Sequence, residues 1–251
     1  MNLTELFSLS MEQWIWVVLA AVLVGFSKTG IGGAMMMVIP IVASVFGGKE
    51  STGIILPMLI VGDVFAVKYY NRHADWGNIK KLLPWTLVGL VIGVVVGSYI
   101  NDQQFKVLIA ISVLVCLVIL LYSEKKGEEL KVPSTVWFYA LVGIASGFTS
   151  MIGNAAGPII SIYLLARGLK KNSFMGTAAW FFMILNLTKM PFQIFVWHNI
   201  SFETMSLTLV MIPAILLGAI VGIGVIKKIN EKPFRYLIII MTAIAAFRLL
   251  I

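Results

Sequence analysis

Long apolar runs alternate with short polar interruptions along the whole chain. The first run covers residues 6 to 26 and leads into GFSKTGIGGAMMMVIP (25–40), after which a second apolar piece extends from Ile31 to Phe46. Further runs fall at 52–70, 82–100 and 104–122, and a charged loop, SEKKGEELK (123–131), divides the chain. Apolar pieces then recur at 134–148, 157–167, 173–197, 203–226 and 233–250. Runs of about 20 apolar residues are long enough to span a hydrocarbon core of about 30 Å, so the pattern predicts transmembrane helices. A membrane β-barrel would instead show alternating segments of about ten residues.

The order of elements recurs. GFSKTGIGGA (25–34) matches GFTSMIGNAAG (147–157) in kind and position, GGKESTG (47–53) answers LKKNSFMG (169–176), and GVVVG (93–97) answers GAIVG (218–222). Two similar halves are the pattern of many secondary transporters. The relative orientation of the halves follows from the positive charge, because cytoplasmic loops collect Lys and Arg. If the chain turns around at each glycine stretch, the loops at 68–81, 123–131, 167–171 and 227–235 share one side and hold 14 of the 19 Lys and Arg. The other side keeps Lys49, Lys106 and Arg248, while Lys28 and Lys189 lie within membrane segments. Passing 6–46 straight through as one broken helix splits the charge between the two sides.

The expected fold is therefore an all-α polytopic membrane protein with two inverted-topology repeats. Each is a broken-helix hairpin plus three spans, giving about eight hydrophobic segments and up to ten helical pieces. The first repeat is 1–122, a cytoplasmic connecting loop is 123–133, and the second repeat is 134–251, with both termini outside the cytoplasm. The limb Ile31–Phe46 would be about 24 Å long at about 1.5 Å per residue, so the hairpin limbs are either re-entrant or short full spans. Trp14, Trp16, Trp76, Trp137 and Trp197 fall near segment ends, as an interfacial belt requires.

The glycine stretches carry the candidate chemistry. Irregular backbone at membrane depth is tolerated only where protein or a water-filled cavity covers it, and helix N-termini exposed by such breaks attract anions. Gly30, Gly32 and Gly33 are expected to open the second limb with unpaired N–H groups, beside Ser27, Lys28 and Thr29. The partner break offers Thr149, Ser150, Gly153, Asn154 and Gly157, followed by Pro158. Snorkelling of Lys28 to the interface is the competing reading of that residue. Two more ionisable residues, Asp63 and Lys189, lie in membrane segments, where charge points to function. Asn186, Lys189 and Gln193 share one helix face, and aligning Gly53 with Gly176 sets Asp63 opposite Asn186. Asp63 and Lys189 are expected to approach each other, either as a structural ion pair or with Lys189 holding an anion while Asp63 carries a coupling proton. Lys28→Ala is expected to weaken anion affinity without unfolding the protein. Tyr69, Tyr163 and Trp180 are weaker candidates for the path, and His73 and His198 are expected to be solvated.

Composition narrows the classes. Of 251 residues, 60% are hydrophobic and 12% charged, against about 25% charged in a typical soluble domain. The net charge of +8 reports topology rather than nucleic-acid binding. The single cysteine, Cys116, lies in an apolar run and gives neither a disulfide framework nor a metal spacing. The N-terminal segment has Glu5 and Glu12 but no basic n-region of a signal peptide. GFSKTG is not a P-loop, and there is no GxSxG or HExxH motif. No enzyme, metal or cofactor is expected. The expected partners are a small anion, the lipid bilayer, and H⁺ or Na⁺ as coupling ion, with no nucleic acid.

GFSKTGIGGAMMMVIP after a first apolar run, GFTSMIGNAAGP in the second half, and eight hydrophobic stretches together resemble the sulfite exporter TauE/SafE family. The likeness covers essentially the whole chain. It implies a permease of the bacterial or archaeal inner membrane carrying sulfite, sulfoacetate, thiosulfate or an aryl sulfonate. It also implies functional roles for Gly25, Lys28, Gly30, Gly32, Gly33, Gly153, Asn154, Gly157 and Pro158. The second motif reads GNAAGP rather than a run of glycines, so the half-sites are expected to be unequal. The residues alone lead to an anion transporter working by alternating access, with an anion channel as the alternative; sulfur comes from the resemblance.

Overall fold

A computed structural model describes residues 9–29, 34–70, 73–126, 133, 135–169, 171–226 and 240. The described residues form nine helices and no strand: α1 (Met11–Thr29), α2 (Ala34–Phe46), α3 (Gly48–Tyr70), α4 (Trp76–Tyr99), α5 (Asp102–Lys126), α6 (Val136–Gly153), α7 (Gly157–Ala166), α8 (Lys171–Phe195) and α9 (Phe202–Ile226). The expected span at 233–250 lies outside the described residues. Six helices, α1, α3, α4, α5, α6 and α9, are long and apolar enough to cross a membrane. With 25 residues, α8 has the length as well, but carries the polar face Asn186, Lys189 and Gln193.

Helix starts are written locally. Ser10 and Gln13 form a capping box ahead of α1, with Ser10 N–H donating to Gln13 Oε1 at 2.9 Å and Gln13 N–H to Ser10 Oγ at 3.2 Å. Asn101 and Gln104 repeat that arrangement at α5. Asp75 caps α4 by accepting from the backbone N–H of Asn78 at 3.1 Å. The α3 start is capped from another helix. Asp102 Oδ1 accepts from the N–H groups of Gly48 at 2.7 Å and Lys49 at 3.3 Å, while Lys106 holds Asp102 Oδ2 at 3.1 Å. Asp102→Ala should therefore cost about 1 kcal/mol, the usual value of a lost cap. Lys106→Ala removes only a surface pair worth about 0–1 kcal/mol, so the melting temperature in detergent should fall further for the first variant than for the second.

The second limb of each hairpin is short. α2 has 13 residues and α7 has 10, about 20 and 15 Å at about 1.5 Å per residue. Neither crosses a core of about 30 Å. Large apolar side chains exposed on α4, α5, α6 and α9, among them Val91, Val95, Val118, Leu141, Leu217 and Ile220, form the kind of outer surface that lipid solvates. The packed interior joins Val17, Ala21 and Val24 of α1 to α2, α3 and α5, where Ile39, Met58, Phe105, Ile109 and Val113 are buried.

Helix contacts follow a crossed pattern. The most extensive packings are α4 with α6 and α1 with α9; α3 packs on α8. Glycines set the close approaches. A Cβ at Gly25 would fall on the Ile215 carbonyl, one at Gly218 on that of Val22, one at Gly147 on that of Thr86, and one at Gly89 on that of Ile144. Gly53 abuts the Asn199 carbonyl beyond α8, and Gly176 abuts the Tyr70 carbonyl at the end of α3 and the backbone of His73 and Ala74. Trp197 departs from the expected belt: it is buried, its ring 5.4 Å from that of Phe105, and its N–H donates to the Val94 carbonyl and Ser98 Oγ, both at 3.2 Å. Trp76 and Trp137 are exposed, as are His73 and His198.

Candidate functional site

The start of the first motif is helical. α1 continues through Gly25–Thr29, so Ser27, Lys28 and Thr29 occupy its last described turn. Gly30, Gly32 and Gly33 lie outside the described residues. The two hydroxyls are committed to backbone. Ser27 Oγ donates to the Val24 carbonyl at 2.9 Å, and Thr29 Oγ1 donates to the carbonyls of Gly25 at 3.2 Å and Ala219 at 2.8 Å. That last bond ties the end of α1 to α9. Gly25 itself is a helix-packing residue.

Lys28 reaches α3. Its Nζ lies 2.6 Å from Asp63 Oδ1 and 5.0 Å from the centre of the Phe182 ring. Its stem passes Gly62, where an added Cβ would stand 3.0 Å from Lys28 Cγ; the glycine makes room for the lysine. Asp63 has no exposure and Lys28 retains 13%, so the pair is anchored at the carboxylate. The other carboxylate oxygen, Oδ2, accepts from Asn186 Nδ2 at 2.6 Å. The alignment of Asp63 with Asn186 thus becomes a direct hydrogen bond between α3 and α8.

The second motif also ends a helix. α6 stops at Gly153 with Asn154 as C-cap in the left-handed conformation, φ 54°. The N–H of Asn154 donates to the Ser150 carbonyl at 3.0 Å, and that of Ala155 to the Thr149 carbonyl at 3.1 Å. Thr149 Oγ1 donates to the Ala145 carbonyl at 2.8 Å. α7 then starts at Gly157 with Pro158 in its first turn, where proline is tolerated. A Cβ at Gly157 would meet nothing within 4 Å, whereas one at Gly153 would touch Ile109 and Ile39.

Lys189 completes this end. Its Nζ donates to the Ser150 carbonyl and to Ser150 Oγ, both at 3.1 Å, and to Asn154 Oδ1 at 2.5 Å. A cation at the carbonyl end of a helix is favoured by the helix dipole and the free carbonyls there. Of the two expected arrangements of Asp63 and Lys189, the direct ion pair does not form. Both oxygens of Asp63 are occupied by Lys28 and Asn186, and Lys189, one turn beyond Asn186, turns to the end of α6. Lys28 stands in the last turn of α1 and reaches Asp63, whereas Lys189 comes from α8 and binds the end of α6. Gln193, the next turn along that face, is fully buried, and neither of its amide atoms has a partner among the described residues; Asn154 Nδ2 has none either.

Some buried polar contacts had no counterpart in the sequence reading. Tyr163 donates its hydroxyl to Asn78 Oδ1 at 2.5 Å, which joins α7 to the start of α4. Asn199 donates to the Lys49 carbonyl at 2.8 Å and to Thr52 Oγ1 at 3.0 Å, and Thr177 accepts from the Asp75 N–H at 2.8 Å. The nearest signal for them was the mirrored placing of GGKESTG and LKKNSFMG. Of the weaker path candidates, Trp180 packs on Trp76 at 5.2 Å between ring centres and Tyr69 is exposed. Cys116 is buried with its thiol on the Ala155 carbonyl at 3.2 Å. No group of metal-binding side chains occurs among the described residues.

A helical bundle with an apolar outer surface, short limbs and the ionisable side chains Asp63 and Lys189 buried inside it defines a multi-pass membrane protein. The chain belongs to the family described as Sulfite exporter TauE/SafE, whose model matches residues 17–249. That is a family of membrane transporters, not of enzymes. No curated protein and no solved structure matches the chain.

Proposed function

We propose that this protein carries a small sulfur-containing anion, such as sulfite, sulfoacetate, thiosulfate or a sulfonate, out across the cell's inner membrane. It does so by alternating access around the polar centre built at the two helix breaks. The observation that carries this reading is the fully buried Lys189, held by neutral oxygens at the end of α6 on the helix that also reaches the Lys28–Asp63 pair through Asn186, in a member of a sulfite exporter family. Buried ammonium groups are costly in an apolar interior. An anion that visits Lys189 would account for its presence there.

The crossed packing of α1 with α9 and α4 with α6 supports two inverted halves, 1–122 and 134–251, joined by a cytoplasmic loop at 123–133. On this reading both termini are extracytoplasmic. Alternating access would rock one hairpin set against the other while α3 and α8 stay joined through Asp63 and Asn186. An outward-moving anion gains about 2.3 kcal/mol per charge per 100 mV from a negative interior. H⁺ enters as coupling ion through Asp63, whose release from Lys28 leaves a carboxylate free to take a proton; Asp63→Asn should then abolish the pH dependence of flux.

The deciding experiment is a thermal-shift panel on detergent-purified protein with sulfite, sulfate, thiosulfate, sulfoacetate, an aryl sulfonate, phosphate and chloride at matched ionic strength. A ligand at 100 times its Kd adds about 2.7 kcal/mol of stability. At least one sulfur anion should raise the melting temperature of the wild type, and Lys189→Gln should lose the shift. No shift with any anion counts against the site. Saturable counterflow in proteoliposomes would then favour a transporter, and unitary currents a channel.

A further inference from the structure

We infer that the polar centre carries one uncompensated positive charge and is built for a singly charged anion, such as a sulfonate or hydrogensulfite, rather than a dianion such as sulfate. The inference rests on the anion-transport reading above and narrows its substrate class. Among the described residues, three ionisable side chains form the centre. Lys28 and Asp63 meet at 2.6 Å and cancel. Lys189 is fully buried, and its three contacts, the Ser150 carbonyl, Ser150 Oγ and Asn154 Oδ1, are all neutral oxygens. No carboxylate lies at ion-pair distance from Lys189 among the described residues, and Asp63 has both oxygens engaged elsewhere.

A buried charge without a counter-charge is unfavourable in a medium of low dielectric constant. The end of α6 offsets some of that cost through its carbonyl and its dipole. The two unpartnered amides beside Lys189, those of Asn154 and Gln193, offer N–H donors with no acceptor. One negative charge accepting from those donors would bring the centre to neutrality. A second negative charge would have to break the Lys28–Asp63 pair or stand uncompensated. Sulfoacetate and thiosulfate carry two charges at neutral pH, so of the anions that family membership suggests, aryl sulfonates and hydrogensulfite fit.

The test is isothermal titration calorimetry on the purified full chain at fixed pH and ionic strength, with methanesulfonate as the monoanion and sulfate, thiosulfate and sulfoacetate as dianions. Wild type should bind methanesulfonate at least about tenfold more tightly than any dianion, a modest share of what one unit charge at about 4 Å is worth at an effective dielectric constant of about 20. Asp63→Asn raises the centre by one positive charge and should move the ratio at least about tenfold towards the dianions. Lys189→Gln should lose methanesulfonate, and Asp63→Asn/Lys189→Gln, back at one positive charge, should regain the monoanion preference. Dianions binding wild type as tightly as methanesulfonate, or an Asp63→Asn ratio equal to that of wild type, overturns the charge count and leaves the anion site standing. Failure of all four anions to bind wild type overturns the transport reading beneath it. The wild-type ratio decides the matter for any variant that does not fold.

Discussion

Lys28→Met should lower the melting temperature of the detergent-purified protein more than Asp63→Asn does, and the double variant should recover most of the loss without recovering transport. The sequence alone suggested that Lys28 could be removed without a folding cost, as a ligand-facing or snorkelling side chain. Its ion pair with a carboxylate that has no exposure reverses that expectation. Removing Lys28 leaves Asp63 buried with the Asn186 amide as its remaining partner. Breaking a buried pair on one side costs about 3–5 kcal/mol, whereas replacing both partners by neutral groups of similar size is often close to neutral. Removing Asp63 is milder, because Lys28 keeps some exposure and lies over the Phe182 ring, where a cation is still stabilised. Melting temperatures of the three variants, with flux measured in proteoliposomes, check both halves of the expectation. A double variant as unstable as Lys28→Met would mean that the pair is not coupled. A double variant that transports normally would remove Lys28 and Asp63 from the mechanism.

The sequence disclosed the membrane class, the helix positions and the identity of the buried charges because each rests on a local property: run length, hydropathy, or an ionisable residue in an apolar segment. α3 was expected at 52–70 and runs Gly48–Tyr70; α9 was expected at 203–226 and runs Phe202–Ile226. Partner choice was harder to see. Spacing pointed to Lys189 as the residue approaching Asp63 and did not point to Lys28, which is the one that pairs with it. The unpaired N–H groups were expected at residues 30–34, with Ser27, Lys28 and Thr29 beside them; packing against α9 keeps Gly25–Thr29 helical and carries Lys28 to α3. Lys189 then finds the carbonyl end of α6, closed by the left-handed cap at Asn154. Trp197 looked interfacial because it follows an apolar run; its burial comes from a turn that folds it back on Phe105. The Asp63–Asn186 hydrogen bond joins two residues that the alignment of Gly53 with Gly176 already set opposite each other.

Gly25→Ala and Gly147→Ala should each destabilise the protein strongly and by similar amounts, while Gly224→Ala should leave it unchanged or slightly more stable. The first two glycines begin the matching stretches GFS and GFT. Gly25 presses on the backbone of α9, where a Cβ would fall on the Ile215 carbonyl, and Gly147 presses on α4, where it would fall on the Thr86 carbonyl. A backbone carbonyl has no rotamer to escape by, so either substitution must push a helix pair apart along a seam that Gly218 and Gly89 also keep close. Overpacking of this kind costs about 1–3 kcal/mol and occasionally more, and small residues at helix contacts are what membrane packing depends on. Gly224 has nothing within 4 Å of an added Cβ, so alanine there adds only the helix-propensity gain of about 0.5–1 kcal/mol over glycine. Melting temperature and size-exclusion profile in detergent read all three variants. Similar large losses at positions 25 and 147 fit two halves built on one plan. A large loss at one and none at the other would mean that the resemblance of the halves stops at the sequence.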